Sequence, residues 1–124
     1  MTTSVRVNFS ALSINCADSA ALAQFWGKAL GRPVSPGKVA GDTAVDTADP
    51  ENGPRMIFHN IPEPTTGNNG FQLVLATENY DEEIERLTGL GARPLTETKR
   101  PGVRWTTLAD PEGNEFDLAN WQSE

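Results

Sequence analysis

The sequence has a single cysteine and no long hydrophobic run. The lone thiol, Cys16, excludes a disulfide within the chain, and the first residues lack the apolar core of a secretory signal. We therefore expect a protein of the reducing cytoplasm. No apolar stretch approaches the roughly 20 residues that a membrane-spanning helix needs, so we expect no transmembrane segment.

Positive charge is also scarce, with 10 Lys and Arg against 17 Asp and Glu and a net charge of −7. Such a surface repels phosphate groups, so neither nucleic acid nor an anionic membrane is an expected partner. The 124 residues suffice for one domain with a real core, and 37% hydrophobic with 22% charged residues is typical of globular proteins. We expect a single domain over residues 1–124.

The first half predicts a strand, a helix and three further strands. Apolar and polar residues alternate along 9–16, which indicates a half-buried strand. Asp18 or Ser19 can cap the helix that follows, and Gly31 can end it. Further strands are predicted at 32–42 (a weak edge strand), 44–48 and 55–60. The buried stripe of the helix is predicted to be Leu22, Phe25, Trp26, Ala29 and Leu30.

The second half repeats this order of elements. A strand at 71–77 precedes a helix that begins at Asn79 or Asp81, with Ile84, Leu87 and Leu90 as its buried stripe. Strands are then predicted at 92–98, at 103–109 and up to Trp121. The loop-like segment between the halves is rich in Pro, Gly and Asn. We expect module 1 over about 5–61, a linker over 62–69, and module 2 over about 70–122.

A turn motif supports an internal duplication. Asp110-Pro111-Glu112 leads into the last strand, and Asp49-Pro50-Glu51 leads into the strand at 55–60. The two turns lie 61 positions apart, as do Leu12 and Leu73 in the first strand of each half. The common offset indicates two copies of one unit. The alternative is a chance recurrence of a common Asp-Pro turn.

Three segments together resemble the vicinal oxygen chelate superfamily, in particular its glyoxalase-like domains. They are 13–31, with Phe25-Trp26 and Leu30-Gly31, then 85–92, with Leu90-Gly91-Ala92, and then 105–116. The superfamily includes glyoxalase I, bleomycin resistance proteins and extradiol dioxygenases. The resemblance implies an α+β fold in which two tandem βαβββ modules form a curved mixed sheet around a cleft, with the helices outside. It also implies a homodimer, because members often pair.

The resemblance implies four metal-ligand positions, at Ala11, Ile57, Gln72 and Asp117. Ala11 and Ile57 have no donor atom, and Gln72 offers only a neutral amide oxygen. Because a divalent ion needs three or four protein ligands, one carboxylate and one amide are too few. We therefore expect no metal and no other cofactor. A shift of two residues would bring in His59, so a metal that His59 or Gln72 binds together with Asp117 is left as an alternative.

The predicted cleft face carries polar and aromatic groups that can orient a small ligand. We expect a metal-free protein that binds a small organic molecule, possible roles being sequestration or resistance. The alternative is an enzyme of the same fold, either a metal-dependent lyase or dioxygenase with altered ligands or a metal-free isomerase. The predicted ligand-binding residues are Ser13, Asn15, Arg55, Ile57, His59, Gln72, Val74, Trp105, Glu115 and Asp117.

Three residues are candidates for catalysis. His59 can act as a general base, although a solvated residue near a strand end is the favoured interpretation. Asp117 and Glu115 lie two apart on one strand and so share a face, where paired carboxylates can serve acid catalysis or simply form an anionic wall. Cys16 falls on the apolar face of its strand, which favours a buried thiol over a nucleophile.

Overall fold

The computed structural model describes residues 9–37, 40–46, 53–63 and 71–121, with the backbone alone for Trp121. The predicted Asp49-Pro50-Glu51 turn and most of the predicted linker lie outside these residues. Ten elements follow in order: β1 (Ala11–Cys16), α1 (Ser19–Leu30), β2 (Val34–Pro36), β3 (Thr43–Val45), β4 (Arg55–Asn60), β5 (Leu73–Ala76), α2 (Tyr80–Leu90), β6 (Arg93–Arg100), β7 (Val103–Ala109) and β8 (Glu115–Trp121).

The chain divides into two compact units, Met1–Asn60 and Ile61–Glu124, and each contains one helix and one four-stranded mixed sheet. The strand order is β1-β4-β3-β2 in the first module and β5-β8-β7-β6 in the second. The first strand of each module pairs in parallel with the last, and the other pairs are antiparallel. This confirms the predicted α+β class with two tandem βαβββ modules.

The core of the first module lies between its sheet and α1. Alternate residues of β4 are buried, with Met56 and Phe58 on the face that packs toward the helix. The buried positions of α1 include Leu22, Phe25 and Trp26, as the sequence pattern predicts, whereas Ala29 and Leu30 of the predicted stripe are half-buried. Cys16 is fully buried, and its thiol donates to the backbone oxygen of His59. The prediction of a buried thiol is confirmed.

A polar cluster fixes the start of α1 to the sheet. The carboxylate of Asp18 accepts the Ala21 amide at 3.1 Å, which is an N-cap bond. The side chain of Asn60 accepts the Ser19 amide at 2.6 Å and donates to the Gly41 carbonyl oxygen at 3.0 Å. Since the Ser19 hydroxyl also donates to Gly41, the segment that leads into β3 is held against the helix start.

The core of the second module uses Phe116 and Leu118 of β8 with Leu87 of α2. The predicted stripe of α2 is only partly correct, because Ile84 and Leu90 remain half-buried. Tyr80, which the pattern did not include, is buried instead. Its hydroxyl forms a hydrogen bond with that of Thr106, and this bond allows the polar end of the ring to be buried.

Several strands begin or end at residues other than the predicted ones. β5 is shorter than the predicted 71–77, and Phe71 is 93% exposed. β6 continues to Arg100, because the turn at Pro101-Gly102 is tight enough for Arg100 to pair with Val103. Among the described residues of the weak strand predicted at 32–42, Val34–Pro36 form a strand, and it lies at the sheet edge as predicted. Neither helix in the described part of the chain is long and apolar enough to cross a membrane.

Candidate functional site

The acidic turn before β8, residues 110–114, has a structural role. Asp110 is buried, and one of its carboxylate oxygens accepts the amides of Glu112 and Asn114, each at 2.9 Å. The side-chain amide of Asn114 donates to the same carboxylate, and Gly113 supplies the positive φ of 90° that the turn requires. This turn fixes where β8 begins and therefore which of its side chains point away from α2.

Asp117 lies on the sheet face away from α2, at the centre of a hydrogen-bonded group. Its Oδ1 accepts from the Gln72 amide at 2.8 Å and from the Thr107 hydroxyl at 2.6 Å. Thr107 pairs directly with Asp117 across β7 and β8. Within the described chain no donor reaches Oδ2. One carboxylate oxygen is therefore held in place while the other can accept a hydrogen bond from a ligand.

An aromatic surface lies next to this carboxylate. Trp105 is two residues before Thr107 on β7, so it shares the face of Asp117, and it pairs with the small side chain of Ala119. The Trp105 ring is partly exposed, and the guanidinium carbon of Arg100 lies 6.0 Å from its centroid. A flat hydrophobic surface therefore lies beside a fixed acceptor.

The corresponding face of the first module carries a different polar group. Nδ1 of His59 lies 2.8 Å from Oδ2 of Asp42, and Nε2 of His59 lies 3.2 Å from the hydroxyl oxygen of Ser13. The Asp42 side chain is only 9% exposed, that of His59 is 33% exposed, and Ser13 is exposed. The three groups form one chain from a nearly buried carboxylate to an accessible hydroxyl.

Chemistry determines the direction of these hydrogen bonds. A carboxylate only accepts, so His59 must hold its proton on Nδ1 when it donates to Asp42, and in the neutral ring Nε2 accepts from Ser13. His59 is partly exposed near a strand end, as the favoured interpretation describes, and it also has two hydrogen-bond partners that the sequence did not predict. The ring has a protein partner at each nitrogen because β1 and the segment before β3 lie on opposite sides of the end of β4.

A second ionic group lies at the other end of this face. Nε of Arg55 is 3.1 Å from Oδ1 of Asp46, whose Oδ2 accepts the Ser35 hydroxyl at 2.7 Å. Between the two groups lies Ile57, which pairs with Ala44. The middle of the face is therefore apolar and its two ends are polar.

Each module brings its predicted ligand-binding residues to the face of its own sheet that lies away from the helix. In the first module these are Ser13, Asn15, Arg55, Ile57 and His59. In the second they are Gln72, Val74, Trp105, Glu115 and Asp117. That the two sets form one cleft stays a prediction.

The donors at the family's metal positions do not fit a divalent ion. Ala11 and Ile57 offer none, and the amide nitrogen rather than the oxygen of Gln72 faces Asp117, since a carboxylate cannot donate. The alternative ligand His59 has both ring nitrogens engaged. In the described ranges no group of three His, Cys, Asp or Glu side chains is placed to hold a metal.

The sequence pattern does not predict the roles of Asp42, Asp46 and Thr107. Thr107 could have been predicted, because the register of the hairpin of β7 and β8 determines which β7 residue faces Asp117. Asp42 and Asp46 flank a strand of three residues, which is too short to show an alternating pattern. No local signal placed Asp42 beside His59, because Asn60 and Ser19 position that segment from distant parts of the sequence.

The fold matches known structures over nearly its whole length. A glyoxalase/bleomycin resistance protein/dioxygenase family enzyme from Burkholderia phytofirmans PsJN superposes with a TM-score of 0.74 at 17% identity, covering 93% of this chain and 99% of that one. A glyoxalase/bleomycin resistance protein/dioxygenase from Nocardioides gives 0.66 at 18% identity, with 98% and 87% covered. The protein named oxidase ChaP-H2 gives 0.70 at 17% identity, with 94% of each chain covered.

No curated protein matches the sequence. The model of the glyoxalase-like domain family, in contrast, matches residues 11–119, which is most of the chain. The match spans β1 to β8 and so includes both modules with their Asp117 and His59 groups. The chain belongs to the glyoxalase-like domain family of the vicinal oxygen chelate superfamily.

Proposed function

We propose that this protein binds a small organic molecule without a metal, in a role of sequestration or resistance. The observation that carries the proposal is the group on the second module, where the Trp105 ring lies near a carboxylate that keeps one oxygen for a ligand. Two similar structures carry names that combine glyoxalase, bleomycin resistance protein and dioxygenase, and the second of these terms supports a binding role.

The two features define the chemistry of the ligand. A planar, apolar ring system stacks on an indole, and a hydroxyl or amino group donates to Oδ2 of Asp117. Gln72 and Thr107 hold the carboxylate before the ligand arrives, which lowers the entropy lost on binding. The net charge of −7 favours neutral or cationic molecules over anions. A planar amine satisfies all of these conditions.

Tryptophan fluorescence of the purified protein tests the proposal, with bleomycin and a panel of small planar amines as probes. We expect saturable quenching that EDTA leaves unchanged. Asp117→Asn should weaken binding by about tenfold, as expected for a hydrogen bond to a charged group, and Trp105→Phe should remove most of the quenching. Glu85→Gln changes an exposed carboxylate of α2 in the same way and serves as the matched control.

Two outcomes would contradict the proposal. One is a tightly held, stoichiometric metal that is required for binding. The other is an Asp117→Asn variant that binds every probe as tightly as the parent protein does. A metal-free enzyme is the second candidate function, and the observation that favours it is the bonded pair of His59 and Asp42.

We also propose a cytoplasmic homodimer. The resemblance implies pairing, and the exposed apolar residues Phe71, Val74 and Leu95 support it, because large apolar side chains on a surface are often covered by a partner. Sedimentation at micromolar concentration tests the dimer. A single species with the mass of one chain would contradict it.

A further inference from the structure

We propose that Ser13, His59 and Asp42 form an acyl-transfer site on the first module, at which Ser13 attacks small esters. The same hydrogen-bonded order of carboxylate, imidazole and hydroxyl activates serine in unrelated hydrolases, where geometry and not fold identifies the group. The group belongs to a different module from the ligand-binding group around Asp117, and the proposal does not depend on ligand binding there.

The distances already fit proton transfer. The Ser13 hydroxyl lies 3.2 Å from Nε2 of His59, which is at the upper end of the range expected for a nucleophile and its base. The Asp42 bond at 2.8 Å holds the imidazole in the tautomer whose Nε2 accepts a proton, and the nearby carboxylate stabilises the imidazolium that then forms.

The fold holds the base in place but leaves the nucleophile accessible. Asp42 follows Gly41, whose carbonyl accepts from both Asn60 and the buried Ser19, so the carboxylate sits on an anchored segment. Ser13 is exposed on β1, where an ester can reach it. Asp42 acts through His59 and is therefore a positioning residue, whereas Ser13 and His59 contact the reacting atoms.

Asn15 supplies a candidate donor for the oxyanion. It lies two residues after Ser13 on the same face of β1 and pairs with His59 across the sheet. Its side chain is exposed, and within the described residues its amide has no hydrogen-bond partner. An asparagine amide that stabilises a tetrahedral oxyanion contributes about 10²-fold or more to the rate in established hydrolases.

The reaction balances with water as the only co-reactant. The oxygen of Ser13 bonds to the ester carbonyl carbon as its proton moves to Nε2 of His59, and collapse of the intermediate breaks the bond to the leaving alkoxide, which takes that proton. Water then attacks the acyl-serine, giving its proton to Nε2, and release of the carboxylic acid returns the proton to Ser13. Asn15 donates to the oxyanion in both steps.

The second module lacks this group and so serves as an internal control. The strand register places Val74, Ala119 and Trp105 at the positions of Ser13, His59 and Asp42. None of these three side chains can transfer a proton. Any acyl-enzyme formed by this mechanism must therefore be on Ser13.

The test uses the whole purified protein with 4-nitrophenyl acetate in EDTA, followed by an acid quench and intact-mass analysis. We expect turnover above the buffer rate and one acetyl group, mapped to Ser13. Phenylmethylsulfonyl fluoride should label the same residue. Ser13→Ala should abolish both adducts and lower turnover by about 10²-fold. Ser10→Ala, a change of an exposed serine just before β1, is the matched control and should change neither.

Asp42→Asn tests positioning. The amide cannot hold the required tautomer, so kcat should fall by at least about tenfold while KM changes little, and Asp42→Glu should recover part of the loss. Thermal unfolding of each variant checks the fold. The proposal is overturned if Ser13→Ala keeps parental turnover, if the acetyl group maps to another residue, or if no adduct forms with either reagent. The acyl adduct is detected by mass and ligand binding by tryptophan quenching, so failure of one proposal is distinguishable from failure of the other.

Discussion

The two modules have the same arrangement of strands, but their polar groups lie at different positions along those strands. In the second module Gln72, Asp117 and Thr107 connect the first, last and third strands. In the first module the group runs from β1 through β4 to the residue before β3, but its central residue His59 donates to Asp42 and accepts from Ser13. The strand registers show that the group of the first module lies two residues further along the sheet.

This displacement follows from the periodicity of a strand. Side chains return to the same face every two residues, so a polar group can move only in steps of two without entering the core. The positions equivalent to Asp117 and Gln72 are Ile57 and Ala11, and neither is polar. A duplicated sheet can therefore keep its buried layer while each copy acquires different chemistry on its other face.

Substitutions in the buried layer should have the largest effects on the free energy of unfolding, and these effects should be similar in the two modules. Phe58 and Phe116 are each fully buried in the last strand of their module. Phe58→Ala and Phe116→Ala should each lower the free energy of unfolding by about 3–5 kcal/mol, because each leaves a large cavity. Urea denaturation at constant m-value measures both. A cost below about 1 kcal/mol in only one module would contradict an equivalent core.

The turn before β8 should give the next largest effect. Asp110→Ala removes an acceptor of the Glu112 and Asn114 amides, and it should cost about 2–3 kcal/mol because these donors lose a charged acceptor near a buried site. Asp110→Asn keeps one acceptor oxygen and is the control, with about half that cost expected. Urea denaturation compares the two. Equal stability of Asp110→Ala and the parent protein would show that the turn is not scaffold.

The displacement is tested by introducing the Asp117 and Gln72 side chains at the equivalent positions of the first module. Ile57→Asp places a carboxylate at the position of Asp117, where it lacks a donor, and should cost about 1–3 kcal/mol. Adding Ala11→Gln supplies the equivalent of Gln72 and should recover about 1 kcal/mol. A double-mutant cycle by urea denaturation measures this coupling, with Ala11→Gln alone as the reference. Zero coupling would mean that the two faces are not superimposable.

Much of this organisation could be predicted from the sequence. Alternation identified the faces of β1, β4 and β8, helical spacing identified the core of α1, and the 61-residue offset identified the duplication. After the turn the offset is 60, since Met56 and Phe116 occupy equivalent positions. The repeat therefore gives the correct equivalent residues in the last strands only when the different lengths of the two turns are known.

The polar groups could not be predicted in the same way. Tyr80 replaces part of the expected α2 stripe because a hydrogen bond to Thr106 permits its burial, which apolar spacing does not detect. The environment of His59 depends on Asp42, and Ser19 and Asn60, from two other segments, anchor the neighbouring Gly41. Such contacts follow from tertiary structure and leave no periodic signal in a strand of three residues.

The helix starts differ between the modules in a measurable way. Asp18 caps α1 through its side chain, whereas Asn79 precedes α2 without a side-chain cap bond. Asp18→Ala should therefore cost about 1 kcal/mol, and Asn79→Ala only a few tenths, about 0.3 kcal/mol. Thermal unfolding of the two variants measures the difference. Equal costs would mean that the Ala21 bond adds nothing to stability.

The smallest expected effect concerns charge in the first turn of α2, which has three acidic residues where α1 has none. The hydrogen bond from Arg86 holds the pKa of Glu83 below its usual 4.5. The contribution of the Glu83 carboxylate to the free energy of unfolding is therefore complete above that value, and it disappears as pH falls through the lower folded-state pKa. Because the pair is partly exposed, Glu83→Gln should cost only about 0.2–0.5 kcal/mol at neutral pH. Urea denaturation across pH should show this cost vanishing in acid, and a constant cost would assign the effect to packing instead.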